Sequence, residues 1–240
     1  LLIYSKFIST HSVFHGDYIP STFDRARLQT LLKLGYPIGL SLCLQTGLFS
    51  VLTLIVGRFG TIQASAHQIV LNYSGFVFMV PLGLSMAITV CVGQLIGKGE
   101  LNASKQLAFH GILLCLIISI LGSYISFFHP SLICSIYTDV PEVQNLAIPL
   151  LKIAAFVQIG DVMQTAASFA LRGMKDTKIP MIMNFISYWV VGFSISYILG
   201  VVLDYGTKGV WLGLIAALLF AGICQMLRLV YLTNKFNRLH

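Results

Sequence analysis

The 240-residue chain is 57% hydrophobic and only 10% charged, against roughly 25% charged residues in soluble domains, which excludes a soluble globular domain and indicates a multi-pass membrane protein. A net charge of +7 would suggest a nucleic-acid partner in a soluble chain; here the basic residues sit between apolar stretches, so a lipid bilayer is the expected partner and nucleic acid is not. Five scattered cysteines (Cys43, Cys91, Cys115, Cys134, Cys224) form no CxxC pair and read as small buried hydrophobes rather than disulfides or metal ligands.

Leu1 to Ile8 reads as the end of a preceding span, and the chain, starting at Leu1 without a signal-peptide pattern, as a piece of something longer. His11 to Lys33 is polar, with Asp17, Pro20, Asp24, Arg25 and Arg27. It reads as a loop and amphipathic lead-in connecting two halves of a larger protein. Residues 1–29 are thus the connector and 30–240 a six-helix unit. His11 and His15 could share a metal only on a helix, and Gly16 and Pro20 argue for a loop.

Leu34 to Gly57 is uncharged and long enough to span, with Gln45 in its middle. Phe59 to Gly97 carries no formal charge and has no polar turn, so it is expected to be one long helix, kinked at Pro81. Ser65, Gln68 and Asn72 share one of its faces at helical spacing, which suggests a cavity wall. His67 lies beside that face and reads as a hydrogen-bonded structural histidine. Gln106 to Phe128 is a plainer span with little polar content beyond Ser119, Ser123 and Tyr124. A short interfacial helix is expected over Ser131 to Tyr137.

The next span holds Asp161. It precedes Arg172 by 11 residues, about 17 Å of helix, which puts it near the midplane of a hydrocarbon core roughly 30 Å thick. An ionisable group there costs about 2.5 kcal/mol or more and faces a bundle interior or wet cavity. Gln158, Gln164, Thr165 and Ser168 lie on the same face. Lys152, nine residues earlier, falls on the opposite side. Ile179 to Leu203, with Asn184, Ser187 and Tyr188 on one face, and Gly209 to Leu227 complete an all-α, six-span bundle.

Loop charges alternate. The connector, the 98–105 and 172–178 turns and the C-terminus (Arg228, Lys235, Arg238) are basic. The 129–142 loop is acidic, the 204–208 loop neutral, and Arg58 alone departs from the pattern. Positive-inside bias puts both ends in the cytoplasm. No Ser/His/Asp set, HExxH or phosphate loop is present, so no enzyme is expected. Because polar stripes in lipid must find one another or water, Gln45, Gln68, Asn72, Asp161 and Tyr188 are expected to converge on one cavity.

The motifs LGYPIGLSL (34–42), AHQIVLN (66–72), VGQLIGKG (92–99), PEV…QIGD (141–161) and ALRGMKDT (170–177), in this order and spacing, resemble the multidrug and toxic-compound extrusion family over about Thr30 to Leu232. Specifically, they resemble its C-terminal six-helix lobe. The resemblance implies one half of a twelve-helix secondary transporter of the plasma (inner) membrane, its lobes related by a pseudo-two-fold axis along the membrane normal, with alternating access. It implies an N-terminal six-helix lobe as partner, a small amphipathic, often cationic substrate, and exchange for Na⁺ or H⁺ without a cofactor. Asp161 matches the acidic residue that bacterial members carry on this lobe's fourth helix. Gln45 stands where sodium-coupled relatives carry a glutamate. On these readings Asp161, Gln45, Gln68 and Asn72 form the cation-coupling set, and Gln158, Gln164, Thr165 and Tyr188 line the cavity. The loss of one carboxylate at Gln45 leaves the ion open and inclines it toward H⁺. A lipid or metabolite exporter of the same fold, or a non-transporting half-length membrane protein, remains as an alternative.

Overall fold

The structure, a computed structural model, describes residues 25–236. The readings of Leu1–Ile8, of His11 and His15, of most of the connector and of Arg238 lie outside them. Among the described residues the regular structure is all helix: α1 (Arg25–Gly57), α2 (Thr61–Gly97), α3 (Leu101–Phe128), α4 (Pro130–Tyr137), α5 (Pro141–Gly173), α6 (Lys178–Val202) and α7 (Gly206–Phe236). Six of them, all but α4, are long and apolar enough to cross a membrane. Residues 25–36, the first turns of α1, are the described part of a first unit that ends at Tyr36; there Thr30 Oγ1 donates to the Ala26 carbonyl at 3.0 Å. The bundle proper starts at Pro37.

Helix ends follow local chemistry. Pro130 and Pro141 open α4 and α5 at the first turn, where a missing N–H costs nothing. Two ends close in the paired-bond cap that needs a left-handed residue. In α2 this residue is Gly99 (φ 82°), with Glu100 N bonded to Leu95 O and Gly99 N to Ile96 O. In α5 it is Lys175 (φ 61°), with Asp176 N bonded to Leu171 O and Lys175 N to Arg172 O. As expected, α2 is a single helix through Pro81 and a short helix follows α3, starting at Pro130 rather than Ser131.

Half of the most apolar stretch of α5 and of α7 is buried, against no more than 28% in the other spans. These two helices are therefore the axis, and α5 touches α2, α3, α4 and α7. α3 turns a stripe of small residues inward, Ser104, Ala108, Cys115, Ser119 and Ser123. Ser123 Oγ donates to the Ala155 carbonyl at 3.0 Å and Ser119 Oγ to that of Gln158 at 3.4 Å. Small hydroxyl residues let backbones approach and bond across helices where no hydrophobic drive exists between them. The opposite faces carry exposed large apolar residues such as Leu54, Phe76 and Ile136, suited to hydrocarbon.

α6 and α7 are joined by the same principle. Gly192, Ser196 and Gly200 on α6 meet Gly209, Gly213 and Ala217 on α7. A Cβ on Gly192 would lie 2.6 Å from the Ala217 Cβ, and one on Gly209 would lie 2.6 Å from the Leu199 carbonyl oxygen. Two segments of α6, Ile186–Gly192 and Ile198–Val202, are wound as π-helix, a widening often associated with functional sites.

The interior divides into two apolar clusters. One gathers Leu48, Leu52, Val70, Leu150, Val157, Trp211 and Leu214. The other gathers Ile88, Val92, Ile112, Val162, Ala166, Leu171 and Leu229. Along α5 the first ends at Val157 and the second begins at Val162, so Asp161 lies at the seam.

Candidate functional site

Helical periodicity on α5 sets Gln158, Asp161, Gln164, Thr165 and Ser168 on one inward face. α1 and α6 bring Gln45 and Asn184 to it, and α7 brings Gln225. Gln45 Nε2 donates to Asp161 Oδ1 at 3.1 Å. The Thr165 hydroxyl, one turn on, is within hydrogen-bonding reach of the same carboxyl and donates to Gln164 Oε1 at 3.2 Å. Gln164 Nε2 donates to Asn184 Oδ1 at 3.2 Å, and Gln225 Nε2 donates to the same oxygen at 2.6 Å. A buried amide–hydroxyl chain therefore runs from Asp161 on α5 to α6 and α7.

Asp161 opens onto two cavities. The larger, about 490 Å³, is lined by Gln45, Gln164, Thr165, Ser168 and Arg172 among the polar side chains, with Phe49, Phe78, Phe169 and Met86 around them. The smaller, about 150 Å³, lies against Leu71, Ser74, Gly75, Val157, Gln158 and Trp211. Asp161, Phe49 and Phe78 border both, so they form the partition. Several buried polar atoms on these walls have no protein partner: Gln158 Nε2 and Ser74 Oγ beside the smaller cavity, and Ser168 Oγ beside the larger. Such atoms are costly unless a water or ligand meets them. Tyr188, in the first π segment of α6, is fully buried with an unpartnered hydroxyl, within electrostatic reach of Asp161 and Arg172.

The structure thus brings together Asp161, Gln45, Gln158, Gln164 and Thr165, with Tyr188 close by. It does not bring in Gln68 or Asn72. Both are exposed, Asn72 Nδ2 bonds the Gln68 carbonyl at 3.0 Å, and neither lines a cavity at Asp161. The expectation of a five-residue convergence is corrected on this point. α2 turns Leu71, Ser74 and Phe78 toward the smaller cavity, and Asn72 stands about 100° round the helix from Leu71. His67, beside that face, is buried and donates no charge to the site. Trp211 Nε1 donates to His67 Nδ1 at 3.0 Å, so Nε2 carries the proton and meets Thr53 Oγ1 at 3.1 Å. Lys152 is exposed on the far side of α5, as expected.

Two residues of the site escaped the sequence reading. Gln225 was legible only as a lone amide in an apolar span, a signal shared by many packing residues. Arg172 reads as a turn cation, yet its guanidinium folds back over the Phe169 ring, 4.3 Å from the centroid, and borders the larger cavity.

Known proteins match this chain in sequence and in fold. A model of the family described as MatE matches residues 37–198. A Bacillus cereus protein called "Probable multidrug resistance protein NorM" is 37% identical over 99% of this chain and 53% of its own length. A Xylella fastidiosa protein of the same description is 39% identical over 82% of this chain and 42% of its own. A solved structure of a MATE protein in the straight conformation superposes with a TM-score of 0.84 at 16% identity, over 99% of this chain and 55% of that one. An outward-facing MATE family transporter gives 0.75 at 17% identity, over 82% and 44%. The chain spans about half the length of the curated relatives it matches. It belongs to the MatE family, the multidrug and toxic-compound extrusion transporters.

Proposed function

We propose that this chain is one lobe of a proton-coupled exporter of small amphipathic, often cationic compounds, acting by antiport with a second six-helix lobe across a plasma membrane and with both chain ends cytoplasmic. The observation that carries the reading is Asp161: a carboxyl at the seam of the apolar core, shared by two cavities and hydrogen-bonded by neutral groups. The larger cavity falls within the 300–1,000 Å³ usual for small-molecule sites, which favours a drug-sized substrate over a lipid. The similar bacterial proteins, described as probable multidrug resistance proteins, support it.

H⁺ is favoured over Na⁺ by the donors around the carboxyl. A sodium ion asks for several oxygen ligands. Gln45 turns its N–H toward Asp161, and Gln68 and Asn72 lie elsewhere. A proton on Asp161 needs only an acceptor, and the Thr165 oxygen is one turn away. Protonated, the cavity loses its negative charge and its attraction for a cationic group. Ionised, it regains both, so proton and substrate compete for one site, as exchange requires.

Asp161→Asn in the complete transporter should reduce gradient-driven efflux at least 100-fold with insertion and folding retained. Efflux from vesicles under an imposed pH gradient, and again under a sodium gradient, reads both claims. Wild-type rates in the variant would make Asp161 structural; dependence on sodium alone would replace the proposed ion.

A further inference from the structure

We infer that Arg172 makes the larger cavity a two-ended site, so that its ligand is a zwitterionic amphiphile carrying an anionic group for Arg172 as well as a cationic group for Asp161. The inference rests on the reading of this cavity as the substrate chamber.

A basic residue in the last turn of a helix needs no ligand to explain it, since it favours the negative end of the dipole and the cytoplasmic interface. Three observations take Arg172 beyond that. Its side chain turns inward: the guanidinium lies over Phe169, one turn nearer Asp161, and the residue borders the same cavity as the carboxyl. It is half-buried and forms no ion pair among the described residues. The acid nearest in sequence on the following turn, Asp176, is committed to Arg228 at 2.8 Å. A partly desolvated guanidinium stacked on a ring, with its planar fork unpaired, is a receptor for carboxylate or phosphate-like oxygens.

The dimensions suit one molecule. From the level of Phe169 to Asp161 is eight residues, or about 12 Å along the axis. The same cavity is also lined by Phe49, Phe78 and Met86, which suit a flat apolar body. When Asp161 takes up a proton the amine end loses its partner, while the end at Arg172 keeps its own. The exchange of proton for cation is then preserved, and affinity is raised for compounds that also bear an anion.

The test uses the complete transporter in detergent at low salt, with a carboxy-rhodamine zwitterion and its ethyl ester, which share a ring system and a cation but differ in the anionic group. In the wild type the zwitterion should bind at least 5-fold more tightly than the ester. Arg172→Gln should weaken the zwitterion 10-fold or more and leave the ester within 2-fold. Arg172→Lys, which keeps the charge and loses the fork, should fall between. Equal wild-type affinities, a preference for the ester, or equal losses for both compounds in Arg172→Gln would overturn the inference, and the wild-type comparison decides even if the variants misfold. Binding is read without an ion gradient, so a failure of coupled efflux would count against the antiport reading alone.

Discussion

Asp161 and Asn184 play different parts in one buried chain of polar groups. Asp161 can change its charge; Asn184 only receives, taking N–H bonds from both Gln164 and Gln225 on its single carbonyl oxygen. The Gln225 oxygen, by contrast, is buried without a partner. Interhelical bonds of this kind are worth about 1 kcal/mol each in a membrane protein, and stripping the shared acceptor leaves two donors unmet. Asn184→Leu is accordingly expected to cost about 1–3 kcal/mol, seen as a lower midpoint of thermal unfolding in detergent. Gln225→Leu, which removes one of the two donors and leaves the Gln164–Asn184 bond in place, should lose less stability than Asn184→Leu. If the two variants melt together, the bonds seen in the structure are not what holds α5, α6 and α7 in register.

At the scale of the element, α6 and α7 depend on having no side chains where they touch. Gly213 sits directly on Ser196, and its added Cβ would meet the Ser196 Cα at 2.6 Å. Backbone cannot move aside as the end of a flexible side chain can, so Gly213→Val should separate the two helices. Thermal stability should fall by roughly 2 kcal/mol or more. Gly83 on α2, which has nothing within 4 Å of an added Cβ, is the control: Gly83→Ala should be neutral or slightly stabilising, since alanine is the better helix former. Because the first π segment carries Tyr188 toward Asp161, Gly213→Val is also expected to disturb the cavity, so substrate binding should weaken with stability. Retained affinity in a destabilised Gly213→Val protein would separate the α6–α7 seam from the site.

For the whole molecule, the proposed reading makes the bundle one half of a transport path. Its two axial helices are well buried, and on that reading a second six-helix lobe would close the cavity at Asp161. Purified alone and reconstituted in liposomes, the 240-residue chain should give no gradient-driven efflux above empty vesicles. Co-reconstitution with a complementary six-helix lobe should restore it. Transport by the chain alone would require two copies to form the path, and a concentration-dependent dimer would then have to be present.

The sequence by itself determined the number, order and approximate limits of the spans. It did so because an apolar run of membrane length has no alternative to a helix when every backbone group must be satisfied internally. It also singled out Asp161, for the same reason: a carboxylate at that depth is too costly to be incidental. The short helix after α3 was legible to within a residue, expected from Ser131 and found from Pro130, and the structural role of His67 from the lack of an acidic neighbour in sequence. What tertiary packing decided was rotation and reach. Gln68 and Asn72 have the spacing of a cavity wall, but a stripe on one helix does not say which way that helix turns. α2 offers the site Leu71, Ser74 and Phe78 instead. The serines of α3 looked incidental in sequence and proved to be the packing face, since small hydroxyl groups mark contact only once a neighbour is in place. Arg172 reaches the cavity by lying back over a ring three residues earlier, and its lack of an ion pair among the described residues is apparent only after Asp176 is seen to pair with Arg228. Periodicity fixes which residues share a face; only the packed bundle assigns each face to lipid, to a neighbouring helix or to the cavity.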